Sequence, residues 1–125
     1  MKTSELTSAA LDWAVAKCEG GTDFWYDTIA TYWIKLDGKD RALSKGWAQS
    51  FTPSTDWSQG GPIIEREVIV LTHPKYDCWT ATGQDSTDLD TPLYQEDGPT
   101  PLIAAMRCYV ASKMGDEVDV PEELT

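Results

Sequence analysis

Apolar residues recur along this chain in two helical rhythms that enclose a stretch of β-type sequence. Leu11, Ala14, Val15 and Cys18 fall at the three-and-four spacing of one helix face, which predicts a helix over 8–19. Thr7 stands at its N-cap position, Leu6 and Leu11 are placed as a hydrophobic staple, and Gly20-Gly21 offers a left-handed exit. Near the other end, Leu102, Ile103, Met106 and Val110 repeat the pattern. Thr100 is the N-cap there, Pro101 takes the first helical position, and Gly115 stops the helix.

Between the helices the residue types change. Asp23 to Leu36 is rich in aromatic and β-branched residues and predicts a strand ending at the turn pair Asp37-Gly38. Lys39 to Lys45 reads as a charged connection, and Trp47 to Gly61 as a loop that carries Trp47, Phe51 and Trp57. Pro62 is suited to open a short helix through Glu67, and Val68 to Leu71 reads as a buried strand. A turn at His73-Pro74 then leads to a second strand over 77–82, giving a hairpin. Residues 83–98 are polar, with Asp85, Asp88, Asp90, Glu96 and Asp97, and predict an exposed, mobile excursion. The acidic tail over 116–125 should be largely irregular, pinned by Val118 and Val120. The fold class expected is α+β: one domain spanning 1–125, with two main helices packed on a short, mainly antiparallel sheet.

Composition narrows the function classes. A 125-residue chain with 41% hydrophobic and 25% charged residues is ordinary globular protein, long enough for one core. The longest aliphatic run, Val68 to Leu71, is far short of the roughly 20 residues that span a bilayer, so no membrane partner is expected. The start Met1-Lys2-Thr3-Ser4-Glu5 carries no signal-peptide pattern, and a cytoplasmic location is expected. The three cysteines, Cys18, Cys78 and Cys108, form no Cys-x-x-Cys pair and read as reduced thiols. With 21 acidic against 10 basic residues, the net charge of -11 repels phosphate backbones, which disfavours direct nucleic-acid binding.

One stretch suggests chemistry. In Trp57-Ser-Gln-Gly-Gly-Pro-Ile-Ile-Glu-Arg66, a Gly-Gly loop leads towards the expected helix start at Pro62. Free amides at a helix N-terminus hold anions, Arg66 would add a forked charge-assisted contact, and Trp57 with Trp47 would stack on a base. The candidate ligand-binding residues are Trp47, Ser54, Thr55, Asp56, Trp57, Gln59, Gly60, Gly61 and Arg66. The structural alternative has the glycines turning the chain, Arg66 pairing with Glu65 or Asp56, and the tryptophans covering a small core. No Gly-Lys-Ser/Thr or Gly-x-Gly-x-x-Gly cradle is present, so nucleotide hydrolysis and dinucleotide redox chemistry lack their usual support. A single histidine, His73, removes schemes needing two, and Ser54-Thr55-Asp56 reads as a local turn rather than a nucleophile and its partner. Asp85, Asp88 and Asp90 lack calcium-loop spacing, with Pro92 interrupting them. No metal, cofactor or catalytic residue is expected.

Three segments together resemble the NinX family of temperate phages. They are Glu5-Leu-Thr-Ser-Ala-Ala-Leu-Asp-Trp-Ala-Val-Ala-Lys-Cys-Glu-Gly20, Pro53-Ser-Thr-Asp-Trp-Ser-Gln-Gly-Gly-Pro-Ile-Ile-Glu-Arg-Glu67 and Gly98-Pro-Thr-Pro-Leu-Ile-Ala-Ala-Met-Arg-Cys-Tyr-Val-Ala-Ser-Lys-Met-Gly115. With a weaker match through Asp116 to Leu124 they cover about half the chain in the same order, and residues 21–49 and 72–97 lie outside the likeness. The resemblance implies a small phage accessory protein acting in the bacterial cytoplasm, and it carries no reaction and no site residues. The reading drawn from residues and resemblance together is a non-catalytic protein that sequesters a small phosphate-bearing, nucleotide-like ligand, such as an immune signal of the host. The alternative is an acidic, DNA-mimicking interaction module that engages a basic host or phage protein. A small signal-degrading enzyme using Asp56 or Glu65 ranks last. Because a pocket in so short a chain is most easily made between subunits, a homo-oligomer is expected.

Overall fold

The computed structural model describes residues 1–27, 29, 31–85 and 88–125, and the backbone alone at 84–85 and 88–93. The fold is α+β, with helices α1 (Ser8–Cys18), α2 (Trp57–Arg66) and α3 (Pro101–Met114). Strands β1 (Thr22–Tyr26), β2 (Tyr32–Leu36) and β3 (Lys39–Ala42) form one antiparallel sheet. Strands β4 (Ile69–Lys75), β5 (Cys78–Asp85) and β6 (Asp88–Gly98) form another. The expected single sheet is thus two small ones, in orders β1-β2-β3 and β4-β5-β6.

α3 is the central element. Its residues from Ala104 to Ala111 are all buried, and a helix that is apolar nearly all round belongs inside. Its alanines, Ala104 and Ala105 at 0% exposure, present little bulk between backbones, while Met106 and Val110 fill the core at 0%. Fully burying side chains of this kind contributes about 1.5–3 kcal/mol each. Thr100 Oγ1 accepts from the Ile103 N–H at 3.1 Å, so the predicted cap, start and stop all hold. The buried Arg107 side chain fastens α3 to its surroundings, donating to the Leu6 carbonyl at 2.9 Å and the Asp97 carbonyl at 2.8 Å.

α1 packs on α3 and buries Ala10 to Ala16 without a break. Thr7 is its N-cap by backbone position, but its side chain makes no cap bond. The segment expected as one long strand is a hairpin of β1 and β2, and the charged connection after Asp37-Gly38 is β3. Asp37 (φ 55°) and Gly38 (φ 77°) are both left-handed, the two-residue geometry whose twist matches antiparallel neighbours, so a third strand follows naturally.

In the second sheet the hairpin exists, but its turn is at Tyr76-Asp77 and not at His73-Pro74, which lie within β4. β4 is an edge strand with a register shift between Thr72 and Lys75, a place that tolerates a proline without costing a ladder bond. The predicted excursion over 83–98 is instead ladder: Thr80 faces Asp97, Thr82 faces Gln95 and Gly83 faces Tyr94. Polar composition misled there because one face of a small antiparallel sheet can be wet. Residues 86–87, and the side chains of Asp85, Asp88 and Asp90, lie outside the described residues. The tail is held at its start, where Met1 and Val118 exchange bonds of 2.9 and 2.8 Å and Thr3 Oγ1 donates to the Gly115 carbonyl at 2.6 Å.

Candidate functional site

The segment from Leu43 to Asp56 carries no helix or strand, yet side-chain bonds fix it. Ser50 Oγ accepts the Trp47 N–H at 3.1 Å and donates to the Ser44 carbonyl at 2.6 Å, which closes the tip. Gln59, one turn into α2, returns to the segment: its Oε1 accepts the Thr52 N–H at 2.7 Å and its Nε2 donates to the Ser50 carbonyl at 3.0 Å. Asp56 caps α2, accepting from the Ser58 N–H at 2.9 Å and the Ser58 hydroxyl at 2.7 Å. These bonds, that of the Ser58 hydroxyl first, hold the Asp56 carboxyl below its ordinary range.

Between this loop and α2 lies an outer cleft of about 410 Å³, lined by Lys45, Trp47, Thr52, Thr55, Trp57 and Gln59 among others. Trp57 is 54% exposed and Trp47 41% exposed, although exposing a ring of that size forgoes much of the stabilisation its burial gives. Trp47 is held by the edge of Trp33, with ring centroids 5.3 Å apart. A second cavity of about 430 Å³ shares the lining residues Lys45, Thr52 and Thr55 and adds Asp12, Tyr32 and Leu43. Both cavities fall in the size range of small-molecule sites.

The nine sequence candidates divide. Trp47, Thr55, Asp56, Trp57 and Gln59 line the outer cleft, Asp56 and Gln59 as its scaffold. Ser54 is buried, its N–H donating to Asp12 Oδ1 at 2.9 Å. Gly60 and Gly61 lie within α2, which begins at Trp57, because Asp56 rather than a residue beside Pro62 supplies the cap. The Gly60 N–H is spent on the Asp56 carbonyl at 2.9 Å, and the helix N-terminus already holds the Asp56 carboxylate. The amide cradle inferred from a helix starting at Pro62 is therefore absent.

Arg66 stands at the far end of α2, roughly 13 Å along the axis from Trp57. Its guanidinium grips both oxygens of Glu19 at 3.0 Å and also bonds Glu67 at 2.9 Å and the Tyr109 hydroxyl at 3.1 Å. Burial pushes the Glu19 carboxyl up, but the bonds from Arg66 and Tyr109 outweigh it and hold the group below its ordinary range. Arg66 thus ties α2 to α1 and α3, outside the tryptophan cleft, and the expected partners Glu65 and Asp56 are not the ones it takes.

Sequence reasoning missed Lys45 and Asp12. Lys45 is the cationic side chain among those lining both cavities. Asp12 is 3% exposed, and burial pushes its carboxyl up to about 7, against the pull of the Ser54 N–H, the Ser54 hydroxyl and Lys45. The available signal was a carboxylate inside the apolar run Ala10-Leu-Asp-Trp-Ala-Val-Ala16. Elsewhere, burial raises the thiols of Cys18 and Cys108 to about 11, and His73 stacks on Trp79 at 4.4 Å. Among the described residues no three His, Cys, Asp or Glu side chains converge to hold a metal ion, and no helix is long and apolar enough to cross a membrane.

No curated protein matches this chain significantly. A family model described as "Bacteriophage P22, NinX" matches residues 2–113, including both stretches outside the three motif segments. The chain, matched over far more than half its length, belongs to the phage NinX family.

Proposed function

We propose that this phage accessory protein captures a small planar, phosphate-bearing ligand of the nucleotide type in the cleft between Trp47 and Trp57, without turning it over. The observation that carries this reading is the pair of half-exposed tryptophans lining a polar cleft, Trp47 on a hydrogen-bonded loop and Trp57 at the start of α2. Rings held in place before binding lose little freedom when a base stacks on them, so their contact area is available for affinity. Lys45 meets the phosphate, and the Thr55 hydroxyl adds a hydrogen bond. Relative to the grouping expected from sequence, the tryptophans stay and Lys45 takes the part of Arg66.

Sequestration of a host immune signal in the bacterial cytoplasm would fit a phage accessory role, with binding alone as the activity. Thermal midpoints of the protein with linear and cyclic nucleotides and ADP-ribose test this. A ligand at about a thousandfold over its Kd stabilises by about 4 kcal/mol. The reading expects such a rise with at least one probe and its loss in Trp57→Ala. A flat response across all probes overturns it.

A second reading draws on the first sheet. Trp25 stacks on Trp33 at 5.5 Å and Trp33 meets Trp47, giving an aromatic ladder beside the exposed Tyr26. Such a face on a chain of net charge -11 fits contact with a basic protein surface. That contact would weaken steeply with salt, whereas stacking in the cleft would not.

A further inference from the structure

A cleft of about 440 Å³, within the size range of small-molecule sites, shares no lining residue with the tryptophan cleft. Ser4 of the short helical turn Thr3–Glu5, Asp77 of the β4–β5 turn, Gln95 to Asp97 near the end of β6, and Arg107 of α3 line it. Arg107 is 9% exposed, and its Nε and Nη1 are spent on the Leu6 and Asp97 carbonyls. Nη2 has no partner among the described residues, yet it is not sealed from solvent, so its N–H groups open into the cleft. The ion pairs among the described residues belong to Arg66 and Lys113, so the Arg107 guanidinium has no carboxylate in contact. Glu96, half-buried in the same cleft, forms no ion pair either. Burial pushes the Glu96 carboxyl up and pulls the Arg107 guanidinium down, and the attraction between them offsets this only in part. Two opposite charges thus line one cleft, near enough to attract and too far apart to pair. A partly buried charge regains what its burial costs when a group of opposite sign bonds it.

The charges around this cleft exclude simpler ligands. An anion would meet Asp77, Glu96 and Asp97 as well as Arg107, and a cation would leave the guanidinium without an acceptor. We propose that the cleft binds a free α-amino acid as its zwitterion, with the carboxylate on Arg107 and the ammonium on Glu96. The ligand carboxylate accepts from Nη2 in charge-assisted bonds, and the ammonium, a donor only, matches a carboxylate that only accepts. Asp97 is less available to it, since its Oδ1 already takes the Thr80 hydroxyl at 2.8 Å. Asp77 is left to meet the ligand side chain, so neutral and basic side chains are preferred over acidic ones.

Thermal midpoints of the full chain with a panel of the common free amino acids at pH 7.5 find the best binder. Titration calorimetry then compares that amino acid with its N-acetyl and carboxamide forms. Saturable binding is expected, tighter for glutamine or lysine than for glutamate, with a loss of about tenfold or more when either end is blocked. Arg107 also holds Leu6 and Asp97, so the variant used is Glu96→Gln, which should cost a similar factor while its urea transition stays cooperative. Trp57→Ala, which strikes the other cleft, should leave the affinity within about twofold of native. The proposal is overturned if no amino acid of the panel binds, if glutamate binds most tightly, or if the blocked forms bind as well as the free one. It is overturned equally if Glu96→Gln leaves the affinity unchanged or Trp57→Ala abolishes it. None of these results bears on nucleotide capture at the tryptophans, which the nucleotide panel decides separately.

Discussion

Replacing Asp12 by Asn should make the protein more stable near neutral pH, which is an unusual outcome for a substitution in a core. The native carboxyl titrates at about 7 against an ordinary value of 3.8, so the folded state holds the proton more tightly than the unfolded state. Between about pH 4 and pH 7 the native protein binds one more proton at this site than the unfolded chain, and stability falls as pH rises across that window. The stability associated with this group is fully present below the unfolded value and is lost as pH passes the folded value. A difference of about 3 units at about 1.4 kcal/mol each makes the ionised form dearer by about 4 kcal/mol at pH 8.

Asparagine is nearly isosteric and keeps an oxygen to accept the Ser54 N–H, so the packing and that bond survive. Urea unfolding at pH 5 and pH 8 reads the effect, and with a slope of about 1–3 kcal/mol/M the midpoint at pH 8 should rise by roughly 1 M or more. Other groups titrate in both proteins and cancel in the comparison. The reasoning fails if Asp12→Asn loses stability at pH 8, or if the two proteins show the same dependence on pH.

Adjacent glycines in α2 should respond in opposite senses. A Cβ on Gly60 would meet the Pro53 carbonyl oxygen at 2.5 Å and Leu102 Cδ2 at 2.7 Å, so Gly60→Ala should cost about 1–3 kcal/mol and lower the urea midpoint. A Cβ on Gly61 would meet only Trp57 Cε3 at 4.0 Å, and Gly61→Ala should raise the midpoint by about 0.5–1 kcal/mol through helix propensity. Arg66→Ala removes a half-exposed bridge and should cost about 1 kcal/mol or less, with ligand response at the tryptophan cleft unchanged. Cys18 and Cys108, with thiols at about 11, should react with a thiol-directed reagent at pH 7.5 far more slowly than the unfolded chain does, as timed absorbance or mass measurements would record.

The two long helices were legible because a cap, a periodic face and a glycine stop agree at each end, and α3 begins and ends where Pro101 and Gly115 place it. α2 was misplaced because Pro62 is a strong start signal, while the acting signal was Asp56 with two glycines inside the helix, a sequence of poor helix propensity. The helix forms there because Gly60 allows α2 to press on Pro53 and Leu102. β3 and β6 were hidden by charged and polar residues, since strands with a solvated face need few apolar positions.

Five of the nine site candidates converge on the cleft: Thr55, Asp56, Trp57 and Gln59 are neighbours in sequence, and Trp47 comes from the loop that Gln59 ties to α2. Arg66 does not, since nine residues of helix carry it to the other end. Asp12 enters the site from a helix more than forty residues earlier in the chain, a contact that only tertiary packing supplies. Its proximity to Ser54 has no local sequence signature. The same holds for the Glu19–Arg66–Tyr109 cluster, whose three members come from three different helical segments.

The central claim, a ligand site on the Trp47–Trp57 cleft and not at Arg66, is tested most directly by one titration series. The best-stabilising nucleotide from the thermal panel is titrated into the native chain and into Trp57→Ala, Lys45→Ala and Arg66→Ala, each first confirmed folded by its urea transition. Loss of about tenfold or more in affinity with Trp57→Ala and Lys45→Ala, with Arg66→Ala within twofold of native, is the result predicted here. Affinity that survives Trp57→Ala and collapses with Arg66→Ala would contradict the account and return the site to the far end of α2.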